Sequence, residues 1–241
     1  MIKLENVSYK VFDEETKTTK EILKNINLTF PKNKVTVITG QNGSGKSTLV
    51  KLLMGINKVT DGKIFYGDKD ITNLSIDERA NLGFSIAFQQ PVRFKGLTVG
   101  DLLNLASKNN NKLADSCEYL AQVGLCAREY INRELDSTLS GGELKRIELA
   151  MALAKGGDVM LFDEPEAGID LWSFDSLVAL FKNLKDKTVI IVSHQKKILE
   201  NADYILLLDT KNDAILGERD EMLRKIEAPK TCSKLGGQNN G

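Results

Sequence analysis

The string Gly40-Gln41-Asn42-Gly43-Ser44-Gly45-Lys46-Ser47 constrains this chain more than any other. Three glycines within six positions suit neither a strand nor a helix. They suit a tight loop whose backbone N–H groups point inward with no Cβ in the way. Val35-Thr36-Val37-Ile38 precedes the loop and reads as a short buried strand, and Lys46–Gly55 follows with helical spacing. A strand entering such a loop and a helix leaving it bring unpaired N–H groups and a positive helix end to one point. That is a cradle for phosphate.

The string fits G-x-x-x-x-G-K-[ST]. In that pattern Lys46 reaches the β- and γ-phosphates and the Ser47 hydroxyl ligates Mg²⁺. Gly40, Gln41, Asn42, Gly43, Ser44, Gly45, Lys46, Ser47 and Thr48 are therefore the expected ATP-binding residues.

A second apolar strand, Val159-Met160-Leu161-Phe162, ends in Asp163-Glu164. Placed beside the loop, Asp163 can hold Mg²⁺ through water. Glu164, one position further, is set to polarise an attacking water as general base. Gln89 follows another buried strand, Ser85–Phe88, and its amide can ligate Mg²⁺ or water; Gln90 is an adjacent alternative. His194 follows the strand Thr188–Val192, where a side chain can reach the γ-phosphate.

Between these lies Leu139-Ser140-Gly141-Gly142-Glu143, a second glycine-rich helix start. A loop and an acidic strand already suffice to hold a nucleotide. A further helix N-terminus fit for an anion suggests contact with a phosphate bound to another copy.

Residues 2–9 and Ile22–Phe30 alternate apolar and polar and read as antiparallel strands, with Asp13–Lys20 a hairpin loop. Lys63–Tyr66 reads as another strand. From Pro91 to Leu139 the spacing is helical, as in Val99-Leu102-Leu103-Leu105-Ala106 and Leu113-Cys117-Leu120-Ala121, so a helical insertion at 90–141 is expected. After it, helix Gly142–Lys155, strand Val159–Phe162, helix Ser173–Lys185, strand Thr188–Val192, helix Lys196–Asn201 and strand Tyr204–Leu208 alternate, which implies a parallel sheet covered on both faces. Residues 1–227 read as one ATPase domain and 228–241, rich in Gly, Asn, Lys and Ser, as a disordered tail.

Lys+Arg and Asp+Glu both number 33, so bulk charge gives no reason to expect nucleic-acid binding. The apolar runs are too short to span a bilayer, and Met1–Asn6 lacks a secretory leader pattern. A cytoplasmic protein with no direct membrane insertion is expected. Cys117, Cys126 and Cys232 form no Cys-x-x-Cys pair. They read as reduced thiols, the alternative being a thiol that meets a partner's metal or sulfur.

Taken in order, the glycine loop, Gln89, Leu139–Glu143, Asp163-Glu164, Ala167-Gly168-Ile169-Asp170 and His194 resemble the ATP-binding cassette (ABC) ATPase family over residues 1–227. The resemblance implies an α/β P-loop NTPase fold: a RecA-like, mostly parallel core, an N-terminal antiparallel β subdomain and an inserted α-helical subdomain. It also implies Mg²⁺-dependent ATP hydrolysis in an ATP-dependent homodimer or heteromer. Each ATP then lies between one subunit's loop and Ser140, Gly141 and Gly142 of the other, with Leu139 and Glu143 flanking and Asp170 coupling the sites. The family's adenine-stacking aromatic has no clear counterpart: Val11 falls there, with Tyr9 and Phe12 close by.

Ala87-Phe88-Gln89-Gln90-Pro91-Val92, Ser140–Arg146, Glu166–Asp170 and Ser193–Leu199 look like the SufC-type ATPase of SUF iron–sulfur cluster assembly. That likeness implies a soluble SufB/SufD-like scaffold as partner. The alternative is the nucleotide-binding subunit of a membrane transporter, docked on a permease. A DNA- or ribosome-acting protein is a third class. In the first two cases Pro91–Asp101 is the expected docking surface. Lys145, two residues past the signature, reads as a solvated helix lysine, the alternative being a pair with Glu164 in the free chain that would hold the base away from water.

Overall fold

The computed structural model describes residues 1–89, 94–107, 113–136, 138–210 and 213–227. Two sheets share the chain. The first has the order β2-β1-β4-β5, built from β1 (Ile2–Asp13), β2 (Thr18–Phe30), β4 (Asp61–Tyr66) and the two-residue β5 (Lys69–Asp70). Its strands are antiparallel, with Ile2 opposite Phe30 and Leu4 opposite Ile64. The expected loop over Asp13–Lys20 is shorter than the sequence suggested, because pairing continues through Val11–Lys20 to Asp13–Thr18. The Asp13 carboxylate accepts the N–H groups of Glu15 and Thr16 at 2.9 and 3.1 Å, which closes the turn locally.

The second sheet has the order β10-β9-β3-β8-β7-β6. It comprises β3 (Val35–Thr39), β6 (Phe84–Ala87), β7 (Val159–Asp163), β8 (Thr188–Val192), β9 (Tyr204–Leu208) and β10 (Ala214–Glu218). All its pairings are parallel except β9–β10. Every residue of β3, β7 and β8 is buried, which explains why these strands read as continuous apolar runs rather than alternating ones.

The strand period then divides the core in two. Val37, Phe162 and Ile191 face one cluster, shared with the helices α3 (Val99–Ala106), α6 (Gly141–Lys155) and α7 (Leu171–Asn183). Their neighbours Ile38, Leu161 and Ile190 face the other, shared with α1 (Lys46–Met54) and the antiparallel sheet. The parallel sheet is thus covered on both faces, as its composition requires.

α3 and α4 (Leu113–Gln122) pack on α6, with α5 (Ala127–Tyr130) following α4. Thr98 caps α3 reciprocally with Asp101. Four elements escape the hydrophobic pattern: β5, α2 (Ile76–Asn81), β10 and the polar α9 (Arg219–Glu227), which buries only Met222. The expected helix Lys196–Asn201 is shorter, α8 ending at Leu199. The carboxyl ends of β3, β6, β7 and β8 lie side by side, and the residues that follow them build the site.

Candidate active site

Gly45 opens α1 at φ 90°, a left-handed conformation that favours glycine. A Cβ there would stand 2.7 Å from the Leu23 side chain and 3.2 Å from the Ile22 carbonyl, so the loop rests directly on β2. Lys46 folds back over the loop, its Nζ donating to the carbonyls of Gly40 at 3.0 Å and Gln41 at 2.9 Å. It is buried, which lowers the ammonium pKa; Glu164 and Asp163 act in the opposite direction. Ser47 Oγ donates to Asp163 Oδ1 at 2.9 Å. Asp163 is buried at the end of β7, and desolvation raises its pKa against the Ser47 hydrogen bond.

Glu164 leaves the strand at φ 47°, a conformation uncommon for a residue with a side chain. Its N–H donates to the Val192 carbonyl at 3.0 Å, tying the turn to β8. Gln89 Nε2 donates to Glu164 Oε2 at 2.7 Å, so residues from two strand ends meet. His194 sits across from them; desolvation and Lys46 hold its ring pKa below the usual value, with Glu164 opposing. The glycine loop, Gln89, Glu164 and His194 line one cleft of about 640 Å³.

The far wall of the cleft is formed by Lys20 and Ile22, which the sequence reading passed over. Val11 lies directly opposite Lys20 in the strand pair and is 40% exposed, but it does not line the cleft. Phe12 is 58% exposed on the alternate face, and Tyr9 packs against the core. None of Tyr9, Val11 and Phe12 lines the cleft, while Lys20 and Ile22 do.

Leu139–Glu143 and Asp170 do not line this cleft. Ser140 caps α6: its Oγ accepts the Glu143 N–H at 3.2 Å, and its own N–H donates to Glu143 Oε2 at 2.7 Å. Tyr130 donates its hydroxyl to the other Glu143 oxygen, and these bonds hold the Glu143 pKa down to about 2. A Cβ on Gly142 would stand 2.7 Å from the Gly168 carbonyl, whereas one on Gly141 would meet nothing within 4 Å. The Asp170 carbonyl accepts the Phe174 N–H early in α7.

Lys145 is neither the solvated helix lysine that the sequence suggested nor paired with Glu164. Lys145 is 1% exposed, and its Nζ donates to the Phe88 carbonyl, to Glu148 Oε2 at 3.2 Å and to the Gln89 carbonyl at 3.4 Å. Its position on the inner face of α6 aims it at the end of β6, and Gln89 takes the place assigned to it on Glu164. Glu166 was also missed. Ser193 Oγ donates to its Oε1 at 2.5 Å, and its Oε2 is buried without a hydrogen-bond partner. Burial raises its pKa. Its signal was the fully buried Ser193 at the opposite strand end, which sequence does not reveal.

Gln90, Pro91, Val92 and Cys232 lie outside the described residues. Cys117 and Cys126 are exposed thiols. Among the described residues no group of three or more His, Cys, Asp or Glu gathers as a metal site, and no helix is long and apolar enough to cross a membrane.

The residues fit a magnesium nucleotide. The oxygen donors Ser47 and Asp163 suit a hard cation. Ser44 Oγ is buried in the loop without a partner, as an anion-binding loop without its anion leaves it. The ammonium of Lys46 is satisfied only by carbonyls of its own loop.

The ABC transporter family model matches residues 23–167. An uncharacterised ABC transporter ATP-binding protein of Methanocaldococcus jannaschii is 41% identical over 199 residues, covering 78% of this chain and 80% of the relative. The sulfate/thiosulfate import ATP-binding protein CysA of Brucella melitensis is 31% identical over 224 residues, covering 89% of this chain and 62% of the relative. Among solved structures, a dimeric bacterial ABC transporter cassette superposes with a TM-score of 0.81 at 25% identity, over 91% of this chain and 99% of that one. The same cassette in a post-hydrolysis state bound to ADP and Pi superposes equally well. This chain belongs to the ABC transporter ATPase family: it binds ATP with Mg²⁺ and hydrolyses it.

Proposed function

We propose that this chain is the ATP-hydrolysing subunit of a transporter, working on the cytoplasmic side as an ATP-dependent dimer docked on a membrane permease. The observation that carries the dimer is the separation of two half-sites. The glycine loop, Gln89, Glu164 and His194 share a cleft that Ser140, Gly141 and Gly142 do not reach, while Gly141 presents open space. A solved relative of the same fold is dimeric.

In this reading the N–H groups of the glycine loop and Lys46 hold the phosphates, and Ser47, Asp163 and Gln89 surround Mg²⁺, which neutralises phosphate charge when bound. Glu164 takes the proton of the attacking water and His194 orients toward the γ-phosphate. The half-site Leu139–Glu143, with Asp170 beside it, serves the neighbour's ATP.

The docking surface is the apolar groove of about 280 Å³ between β6 and α6, lined by Phe88, Phe94, Leu144 and Met151 with Glu148 among them. The import relative supports a permease as the occupant, since its name places it in sulfate and thiosulfate uptake. The second reading, a SufC-type subunit docked on a SufB/SufD-like scaffold, is favoured by the strings Ala87–Val92 and Ser193–Leu199.

Co-purification of the untagged native protein separates the two. A multi-span membrane protein recovered with it supports the permease reading; a soluble scaffold recovered instead replaces it. Lys46→Ala tests the site itself: loss of most ATPase activity is expected, and unchanged turnover would remove Lys46 from the phosphate site.

A further inference from the structure

The end of β6 is held by an ion pair that no part of the ATP site contains. Phe88, the residue before Gln89, has both backbone groups taken by α6. Its N–H donates to Glu148 Oε1 at 2.6 Å, and its carbonyl accepts Lys145 Nζ. Lys145 and Glu148 pair with each other at 3.2 Å, three residues apart on the helix. Lys145 also reaches the Gln89 carbonyl at 3.4 Å. One residue on, the Gln89 side chain donates to Glu164 Oε2 at 2.7 Å.

These contacts form one connected path from a buried helix face to the carboxylate at the end of β7. Lys145 is 1% exposed and the Glu148 side chain 13% exposed. Burying two opposite charges costs desolvation and is weak grounds for stability alone. Here each charge also satisfies a polar backbone group of the same residue, which fixes the peptide on either side of Phe88. A glutamine at a free strand end can swing its amide through several rotamers. With Phe88 gripped from both sides, the Gln89 Cα is held at a fixed distance from Glu164, so only the rotamer that reaches Oε2 at 2.7 Å is needed to keep the contact.

We propose that Lys145 and Glu148 are a positioning pair for hydrolysis: they clamp the Phe88 backbone so that Gln89 orients the Glu164 carboxylate. Neither touches the nucleotide cleft. Glu148 acts through Phe88 and Gln89, whereas Lys145 also acts electrostatically on Asp163, so the cycle is built on Glu148. Glu148 and Phe88 also line the apolar groove, so an occupant of that groove meets the clamp directly. The inference rests on Glu164 acting as the base.

The test is a double-mutant cycle on the full chain. Lys145→Met and Glu148→Ala should each lower kcat about tenfold, as small displacements of a catalytic group do, while KM for MgATP stays within about twofold. Gln89→Ala should lower kcat by at least as much. Because Glu148 acts through Gln89, adding Glu148→Ala to Gln89→Ala should cause no further loss. A full additional loss in the Gln89→Ala background, or a normal kcat in both single variants, overturns the proposal. Glu148→Gln guards against a folding defect, since its amide oxygen still accepts the Phe88 N–H. It should melt near the parent temperature and lose roughly threefold in kcat, again only when Gln89 is present. Glu164→Gln is run alongside: normal hydrolysis there removes the base assignment, whatever the cycle shows.

Discussion

Ser47 Oγ donates to Asp163 Oδ1 at 2.9 Å, joining the start of α1 to the end of β7 across 116 positions of sequence. Asp163 is 3% exposed, and burial raises its pKa above the ordinary carboxylate value of 3.8. A carboxyl raised in the folded state favours folding most when protonated, so its contribution falls as pH rises from about 3.8 through the folded pKa. At neutral pH the nucleotide-free chain therefore carries an unfavourable buried charge.

Asp163→Asn removes that charge and keeps an oxygen for the Ser47 hydroxyl. The nucleotide-free variant should be stabilised by about 1 kcal/mol at pH 7.5, or roughly 2–4 °C in melting temperature. The gain should shrink as pH is lowered from 7.5 to 4, toward protonation of the parent carboxyl, whose pKa burial raises. Mg²⁺-dependent hydrolysis should be lost at the same time. Melting curves at the two pH values and an ATPase assay check both halves; a variant less stable at pH 7.5 would show that Ser47 and the surrounding cations outweigh burial.

Glu164 holds a left-handed backbone, accepts Gln89 Nε2 and donates its N–H to Val192. None of those backbone contacts needs a carboxylate, so Glu164→Gln should fold normally and bind ATP. Removing the proton acceptor should slow hydrolysis roughly a hundredfold or more. ATP is then not consumed, and size-exclusion chromatography at saturating MgATP should show a dimer that the parent chain shows weakly or not at all. A variant that elutes as a monomer under those conditions would contradict the two-half-site arrangement.

Much of this site was legible because its chemistry is local. Glycines at fixed spacing, an apolar strand ending in Asp163-Glu164 and a capping box at Ser140–Glu143 each announce themselves within a few residues. The long parallel strands were legible because β3, β7 and β8 are buried on both faces. What escaped were relationships made by packing. The rotation of α6 that sends Lys145 to Phe88 and Glu148 instead of Glu164 is set by the core beneath it. Glu166 acquires its partner Ser193 only when β7 and β8 lie side by side, and β10 and α9 carry too little buried surface to show a period.

The two signature glycines should behave differently. A Cβ at Gly142 would press within 2.7 Å of the Gly168 carbonyl in the same chain, while at Gly141 it would enter open space. Gly142→Ala should lower the melting temperature of the isolated chain, by roughly 1–3 kcal/mol of overpacking. Gly141→Ala should leave that temperature unchanged or slightly raised, since alanine is favoured over glycine in a helix. Its ATPase activity should nevertheless fall sharply, because the open face is the one offered to a neighbour's phosphate. Wild-type turnover in Gly141→Ala would mean that this face meets nothing.

Among the described residues Arg79 is the largest side chain buried below 2% exposure, and no carboxylate there pairs with it. Its guanidinium donates instead to five carbonyls: Leu52 at 2.7 Å, Leu53 at 2.8 Å, Ile71 at 2.6 Å, Thr72 at 3.0 Å and Leu74 at 3.2 Å. Two of these belong to the last turn of α1, where carbonyls lack helical partners and a cation meets the negative dipole end. Burial lowers the guanidinium pKa to about 10, so it stays charged at neutral pH. The same helix begins at the glycine loop, so Arg79 anchors the rear of the element whose front holds phosphate. Arg79→Met fills much of the volume and leaves five carbonyls one donor short, of which, among the described residues, only Leu52 and Ile71 keep a further N–H, from Gly55 and Leu74, a loss of about 3 kcal/mol and roughly 10 °C in melting temperature. Arg79→Lys, with three donors on a single nitrogen, cannot span five acceptors and should recover less than half of that loss. Differential scanning calorimetry on the three chains decides it: a shift under 2 °C for Arg79→Met would show that water satisfies the carbonyls in its place.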